Sequence, residues 1–212
     1  MRYHDLVQIL GKEGFFDLAS VVQLTGERRE SIRVQLHRWI KDGKLLSLRR
    51  GMYAFSGLGS SVSVNPAELA NKLYTPSYLS TDWAMGYYGL IPEKVVTYTS
   101  VSTRVTRSFN NDFGIYKYQS IKKSVFWGYR AVKIGGVKVM LAEPEKALLD
   151  FWYLGKGLWC EDRLKEMRFQ NTDLIDVAKL HSYANRFQSL RLIKIAAAWE
   201  LAITAEHEGV EL

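Results

Sequence analysis

The run Ser56-Gly57-Leu58-Gly59-Ser60-Ser61-Val62-Ser63 divides this chain and sets what each side can build. It is the one Gly/Ser-rich stretch of any length, and such a composition reads as a flexible joint. The expected organisation is a small unit at 1–56, a linker at 57–65 and a second unit at 66–212. A chain of 212 residues suits a small domain followed by a medium one.

Before the joint, apolar positions recur at helical spacing. Tyr3, Leu6, Val7 and Leu10 predict a first helix, ended by Gly11 and Gly14. Asp17 is placed to cap a second helix that uses Leu18, Val21, Val22 and Leu24. Thr25-Gly26-Glu27 makes a tight turn. A third helix is expected over 28–42, with Ile32, Leu36, Trp39 and Ile40 as its buried stripe and Gly43 at its C-terminus. Its solvent side carries Arg28, Ser31, Arg33, Gln35, Arg38 and Lys41, with Glu27 and Glu30 as the acids among them. Those cations, hydroxyl and amide are groups that contact phosphates and base edges in a major groove. Residues 44–48 and 52–55 read as two strands joined through Arg49-Arg50-Gly51. Helix, helix-turn-helix and a two-stranded wing together predict a winged helix-turn-helix. Arg49 and Arg50 at the wing tip suit a narrow minor groove or flanking phosphates.

After the joint, the expectation is a mixed α+β unit. Asn65-Pro66 starts a helix with Leu69 and Leu73 inward, and Thr75-Pro76 stops it. Ser80-Thr81-Asp82 caps another helix, closed by Gly89. Strands are expected at 97–101, 103–109, 114–118 and 135–141, where β-branched and aromatic residues cluster. Pro144 opens a helix whose Ala147, Leu148, Leu149, Phe151, Trp152 and Leu154 make it apolar nearly all round, hence central and buried. Further helical segments fall at 164–167, 174–183 and 190–206, the last with Leu192, Ile195, Ala196 and Trp199 inward.

Charge is uneven along the chain. The net charge is +7, and residues 99–138 hold eight Lys or Arg against one Asp. Basic blocks suit a polyanionic partner. Arg104, Arg107, Lys117, Lys122 and Lys123 interleave with Tyr and Phe. That pattern fits either a basic nucleic-acid-binding sheet face or plain alternation with aromatics inward and cations outward. The single Cys160 and four scattered histidines make no disulfide and no Cys/His zinc site, so neither metal nor cofactor is expected. No apolar run approaches the roughly 18 residues of a membrane span. Met1-Arg2-Tyr3-His4-Asp5 is polar where a signal peptide is apolar. A cytoplasmic, non-membrane protein is expected.

Several segments resemble one family. Residues 78–92, Tyr-Leu-Ser-Thr-Asp-Trp-Ala-Met-Gly-Tyr-Tyr-Gly-Leu-Ile-Pro, are similar to a segment of the AbiEi antitoxins, transcriptional regulators of type IV toxin–antitoxin systems of phage defence. Ala142-Glu143-Pro144-Glu145-Lys146-Ala147-Leu148-Leu149-Asp150 looks like that family's PEKALLD signature, the more specific match. Thr99-Ser100-Val101 and Gly114-Ile115-Tyr116-Lys117-Tyr118 follow its β segments in order, and Arg50-Gly51-Met52-Tyr53-Ala54 resembles its wing. The likeness runs over about residues 3–160. It departs at Trp83-Ala84-Met85, where Ser-Ala-Leu is commoner. The resemblance implies a winged helix that binds inverted repeats in its own promoter and represses it. It also implies a second domain that counteracts a nucleotidyltransferase toxin. Pro144, Glu145, Lys146 and Asp150 are the family-motif residues.

Catalysis is not expected. A metal nuclease needs an acid two residues before its Lys, and Pro144 stands there before Lys146. Lys146 and Asp150 instead read as an i, i+4 pair worth tenths of a kcal/mol. The competing reading is a non-catalytic module that binds protein or RNA through residues 99–138, with the winged helix as scaffold.

Overall fold

The computed structural model describes residues 1–57 and 63–210; the core of the expected linker, 58–62, lies outside the described residues. The fold is mixed α+β.

The first elements are α1 (Tyr3–Leu10), β1 (Phe15–Asp17), α2 (Leu18–Thr25), α3 (Arg29–Lys41), β2 (Leu45–Arg49) and β3 (Met52–Phe55). The three helices follow the apolar spacing, except that Leu24 at the end of α2 is exposed. Asp17 caps α2 by accepting from the Ser20 amide at 2.8 Å. Gly26 ends it at φ +67°, where a side chain would be strained. β1 was not foreseen. It pairs antiparallel with β3, giving a three-stranded sheet in the order β1-β3-β2. The hairpin register slips between Ser47 and Arg49, so Leu48 is an extra residue in β2. Ile32, Leu36 and Trp39 of α3 pack with Leu6, Leu10, Phe16, Val21, Leu45 and Phe55 in one core.

The second part begins with α4 (Pro66–Leu73), β4 (Ser77–Leu79), α5 (Thr81–Tyr88) and β5 (Tyr98–Ser102). β6 (Arg107–Asn111), β7 (Gly114–Ser120), β8 (Tyr129–Ile134) and β9 (Val137–Ala142) complete a six-stranded sheet in the order β6-β7-β5-β4-β9-β8. The pairs β5–β7 and β4–β9 are parallel and the rest antiparallel. Then come α6 (Pro144–Leu154), α7 (Glu161–Glu166), α8 (Val177–Arg186) and α9 (Leu190–Val210). The expected strand at 103–109 starts only at Arg107. Gly135-Gly136, expected within a strand, is the β8–β9 turn with φ +57° and +88°. Positive φ at both central residues of a two-residue hairpin is what Gly-Gly supplies.

Helices cover both sheet faces. On one, the Tyr118 hydroxyl donates to the Ala70 carbonyl of α4 at 2.6 Å, and Asn71 brackets Met140 with two hydrogen bonds. On the other, Tyr78 meets α6. α6 is buried as its composition requires, and Trp152 packs against Trp199 of α9. Each such buried apolar side chain contributes about 1.5–3 kcal/mol.

Leu48, Met52 and Ala54 of the hairpin belong to this larger core, whereas Leu45 and Phe55 belong to the smaller one. The hairpin thus joins the two. Among the described residues, no helix is long and apolar enough to cross a membrane.

Candidate nucleic-acid interface

α3 and the β2–β3 hairpin enclose an open groove of about 770 Å³. Its helix wall carries Arg29, Arg33 and His37, one helical turn apart. Its hairpin wall carries Ser47, Arg50 and Tyr53. Cross-strand pairing of Ser47 with Tyr53 turns both toward the helices. Gly51, at φ +78°, lets the chain reverse beside Arg50. No carboxylate lines this groove.

Arg28 is the exposed residue preceding α3, and Ser31, Arg38 and Lys41 are exposed along it. Arg33 points into the groove. Gln35 does not offer its amide outward as expected. It is half-buried and donates to Glu27 at 3.3 Å, which also occupies one of the two acids near the helix start.

Arg49 departs further from expectation. The extra residue at Leu48 shifts the pairing so that Arg49 faces Met52 across the hairpin, on the side that meets the larger core. Its guanidinium donates to the Arg50 carbonyl at 3.1 Å, and its Nε is shielded from solvent. Burial raises the Tyr118 hydroxyl well above its ordinary pKa, and Arg49 nearby opposes that rise. Only Arg50 remains at the groove. Arg29, His37 and Tyr53 were not assigned a role from sequence. The i, i+4 step from Arg29 to Arg33 was the available signal.

The basic block at 99–138 does not gather on one sheet face. Arg107 pairs with Tyr118 and shares its face, toward α4. Lys117 pairs with Thr99 and lies on the opposite face, in a cavity with Asp82, Glu93 and Glu166. Lys122 and Lys123 are exposed at a short 3-10 turn after β7. Arg104 stacks on Tyr74, with its guanidinium 4.3 Å from the ring centre. Strand alternation separates the cations, and aromatic residues take the inward positions.

The motif residues form no open site. Lys146 and Asp150 are fully buried and paired with each other. The Lys146 ammonium donates to the Tyr78 hydroxyl at 2.8 Å, and the ring of Phe187 lies 4.8 Å away. Asp150 also accepts from Ser80 at 2.8 Å and Tyr78 at 3.0 Å. Burial pushes the Lys146 ammonium down and the Asp150 carboxyl up, and each charge opposes the other's shift. The expected weak surface pair is therefore a core network, because the helix that carries it has no solvent face there. Ser80, expected as a helix cap, spends its hydroxyl on Asp150. Pro144 opens α6. Glu145 accepts from the Asp176 amide at 3.1 Å and lies 3.0 Å from Lys179, while Glu143 accepts from Tyr183 at 2.6 Å. These carboxylates tie α6 to α8.

No protein-family model and no curated protein matches this chain. The groove's own chemistry therefore carries the argument. Among the described residues, no group of three or more His, Cys, Asp or Glu side chains could hold a metal ion. What the groove offers is three guanidiniums, an imidazole, a hydroxyl and a phenol on two opposed walls. Guanidiniums form bidentate hydrogen bonds to phosphate, and the polar groups between them reach base edges.

Proposed function

We propose that this chain is a non-catalytic, sequence-specific DNA-binding regulator whose first unit is a winged helix-turn-helix. The observation that carries this reading is the carboxylate-free groove between α3 and the hairpin. In this reading α3 enters the major groove, Arg29 and Arg33 reach phosphates or base edges, and Ser31, Arg38 and Lys41 face the duplex on the outer side. Arg50 on the hairpin holds the neighbouring phosphate or minor groove. The element order α1-β1-α2-α3-β2-β3 supports the assignment.

The resemblance of Arg50-Gly51-Met52-Tyr53-Ala54 and of residues 142–150 to AbiEi antitoxins extends the proposal. The chain would bind inverted repeats in its own promoter, repress it, and counteract a nucleotidyltransferase toxin in the cytoplasm.

Fluorescence anisotropy on the chain's own upstream duplex and on a scrambled duplex, at about 150 mM salt, tests the DNA reading. A preference of at least about a hundredfold is expected for the upstream duplex. Affinity for the upstream duplex should fall about tenfold or more in Arg29→Ala/Arg33→Ala. Equal affinity for both duplexes in the unmodified protein overturns the proposal. For the antitoxin role, co-expression with the adjacent toxin gene is expected to restore growth; persistent toxicity removes that part alone.

A further inference from the structure

A second cleft, of about 270 Å³, lies where the hairpin meets the second unit. Arg49, Arg50, Arg104 and Arg107 line it together with Tyr74 and Thr75, and no carboxylate does. Among the described residues, none of these four arginines is in an ion pair. Four guanidinium charges gathered at a cleft with no carboxylate in its lining repel one another, and a bound anion relieves that repulsion. The cleft is also built. Arg104 lies over the Tyr74 ring and donates to the Thr75 carbonyl at 3.1 Å. Tyr74 in turn donates to the Val105 carbonyl at 2.9 Å. Arg49 is held by the Arg50 carbonyl. Planar, fixed guanidiniums suit the oxygens of a phosphate.

Arg50 lines both this cleft and the groove against α3. The cationic path therefore runs without a break from Arg29 and Arg33, through Arg50, to Arg104 and Arg107. On its far side Arg49 borders a cleft lined by Glu13, Asp17 and Glu68, which repels phosphates from that flank. We propose that the junction cleft binds a backbone phosphate of the same duplex that occupies the groove, so that the second unit contacts DNA through Arg104 and Arg107. This inference rests on the DNA reading above. It assigns the contact to phosphate, which positions the duplex and adds no sequence preference.

The test uses the full chain and the upstream duplex across a salt series. Arg104→Ala/Arg107→Ala is expected to weaken binding about tenfold or more at 150 mM salt. The slope of log affinity against log salt should fall by about one, as for one phosphate contact, with the preference over a scrambled duplex unchanged. Arg104→Lys/Arg107→Lys keeps the charge and should keep most of the slope. Arg107→Glu, which leaves the Arg104–Tyr74 stack intact, gives the same readout should the alanine pair fail to fold. Unchanged affinity and slope in these variants, with the unmodified protein still selective, overturns the junction contact alone. Loss of selectivity in the unmodified protein overturns the DNA reading and this inference with it. Calorimetry with inorganic pyrophosphate separates the other source of the same chemistry. Arginine-dependent pyrophosphate binding in variants whose duplex affinity is unchanged would make the cleft a free-anion site and overturn the proposal.

Discussion

Lys146 and Asp150 show how far burial changes the meaning of a residue pair. On an exposed helix such a pair contributes a few tenths of a kcal/mol. Here both side chains are fully buried, and Tyr78 and Ser80 complete the carboxylate's partners. Removing one partner leaves an uncompensated charge, which costs about 3–5 kcal/mol. Lys146→Met is therefore expected to lower the urea-unfolding free energy by that amount. Adding Asp150→Leu should recover about 2 kcal/mol or more, because no lone charge then remains, although Tyr78 and Ser80 lose their acceptor. A double-mutant cycle measures the coupling; a value of a few tenths contradicts the network. The pair's spacing was legible in sequence, but its burial depends on α8, α9 and the β8 approach packing around α6, contacts that no local pattern encodes. Gln35 and Arg49 follow the same logic. Their positions on helix and hairpin were legible, whereas their directions were set by Glu27 and by the extra residue at Leu48.

At the scale of elements, α1, α2 and α3 were legible because each buries one stripe at a 3.6-residue period. β1 and β4 were not: each has three residues, too few to show alternation, and each is held by pairing with a neighbouring strand; β8 was not expected either, although it has six residues. Loops divide in the same way. Gly51 and Gly128 both have positive φ, +78° and +73°. A Cβ at Gly51 meets nothing within 4 Å, while one at Gly128 meets the Lys146 stem at 3.0–3.2 Å. That stem cannot swing away, since its ammonium is held by Asp150 and Tyr78. Gly51→Ala is expected to cost about 1 kcal/mol from backbone strain alone. Gly128→Ala should cost at least about 1 kcal/mol more, through strain and contact together. Urea midpoints of the two variants check the order, and equal costs would show that Lys146 yields at no expense.

For the molecule as a whole, the question is whether the Gly/Ser run makes two independent bodies. Composition predicts a joint there, and the hairpin before it packs into both cores. Asn111 also donates to the Leu48 carbonyl at 3.4 Å across the junction. A duplex held at once by α3 and by Arg104 and Arg107 needs that junction to be fixed, because a mobile second unit would spend binding free energy on being ordered. The same Leu48 that turns Arg49 inward is, with Met52 and Ala54, one of the hairpin residues that couple the parts. Leu48→Ala is expected to cost about 2–4 kcal/mol by opening a cavity between them. It should also split one cooperative transition into two. Hydrogen exchange under increasing denaturant reads this directly. In the unmodified protein the amides of α3 and β5 should lose protection together, whereas in Leu48→Ala those of α3 should open first. If α3 and β5 already open separately in the unmodified protein, the two cores are energetically independent, and a shared duplex contact would have to order the junction on binding.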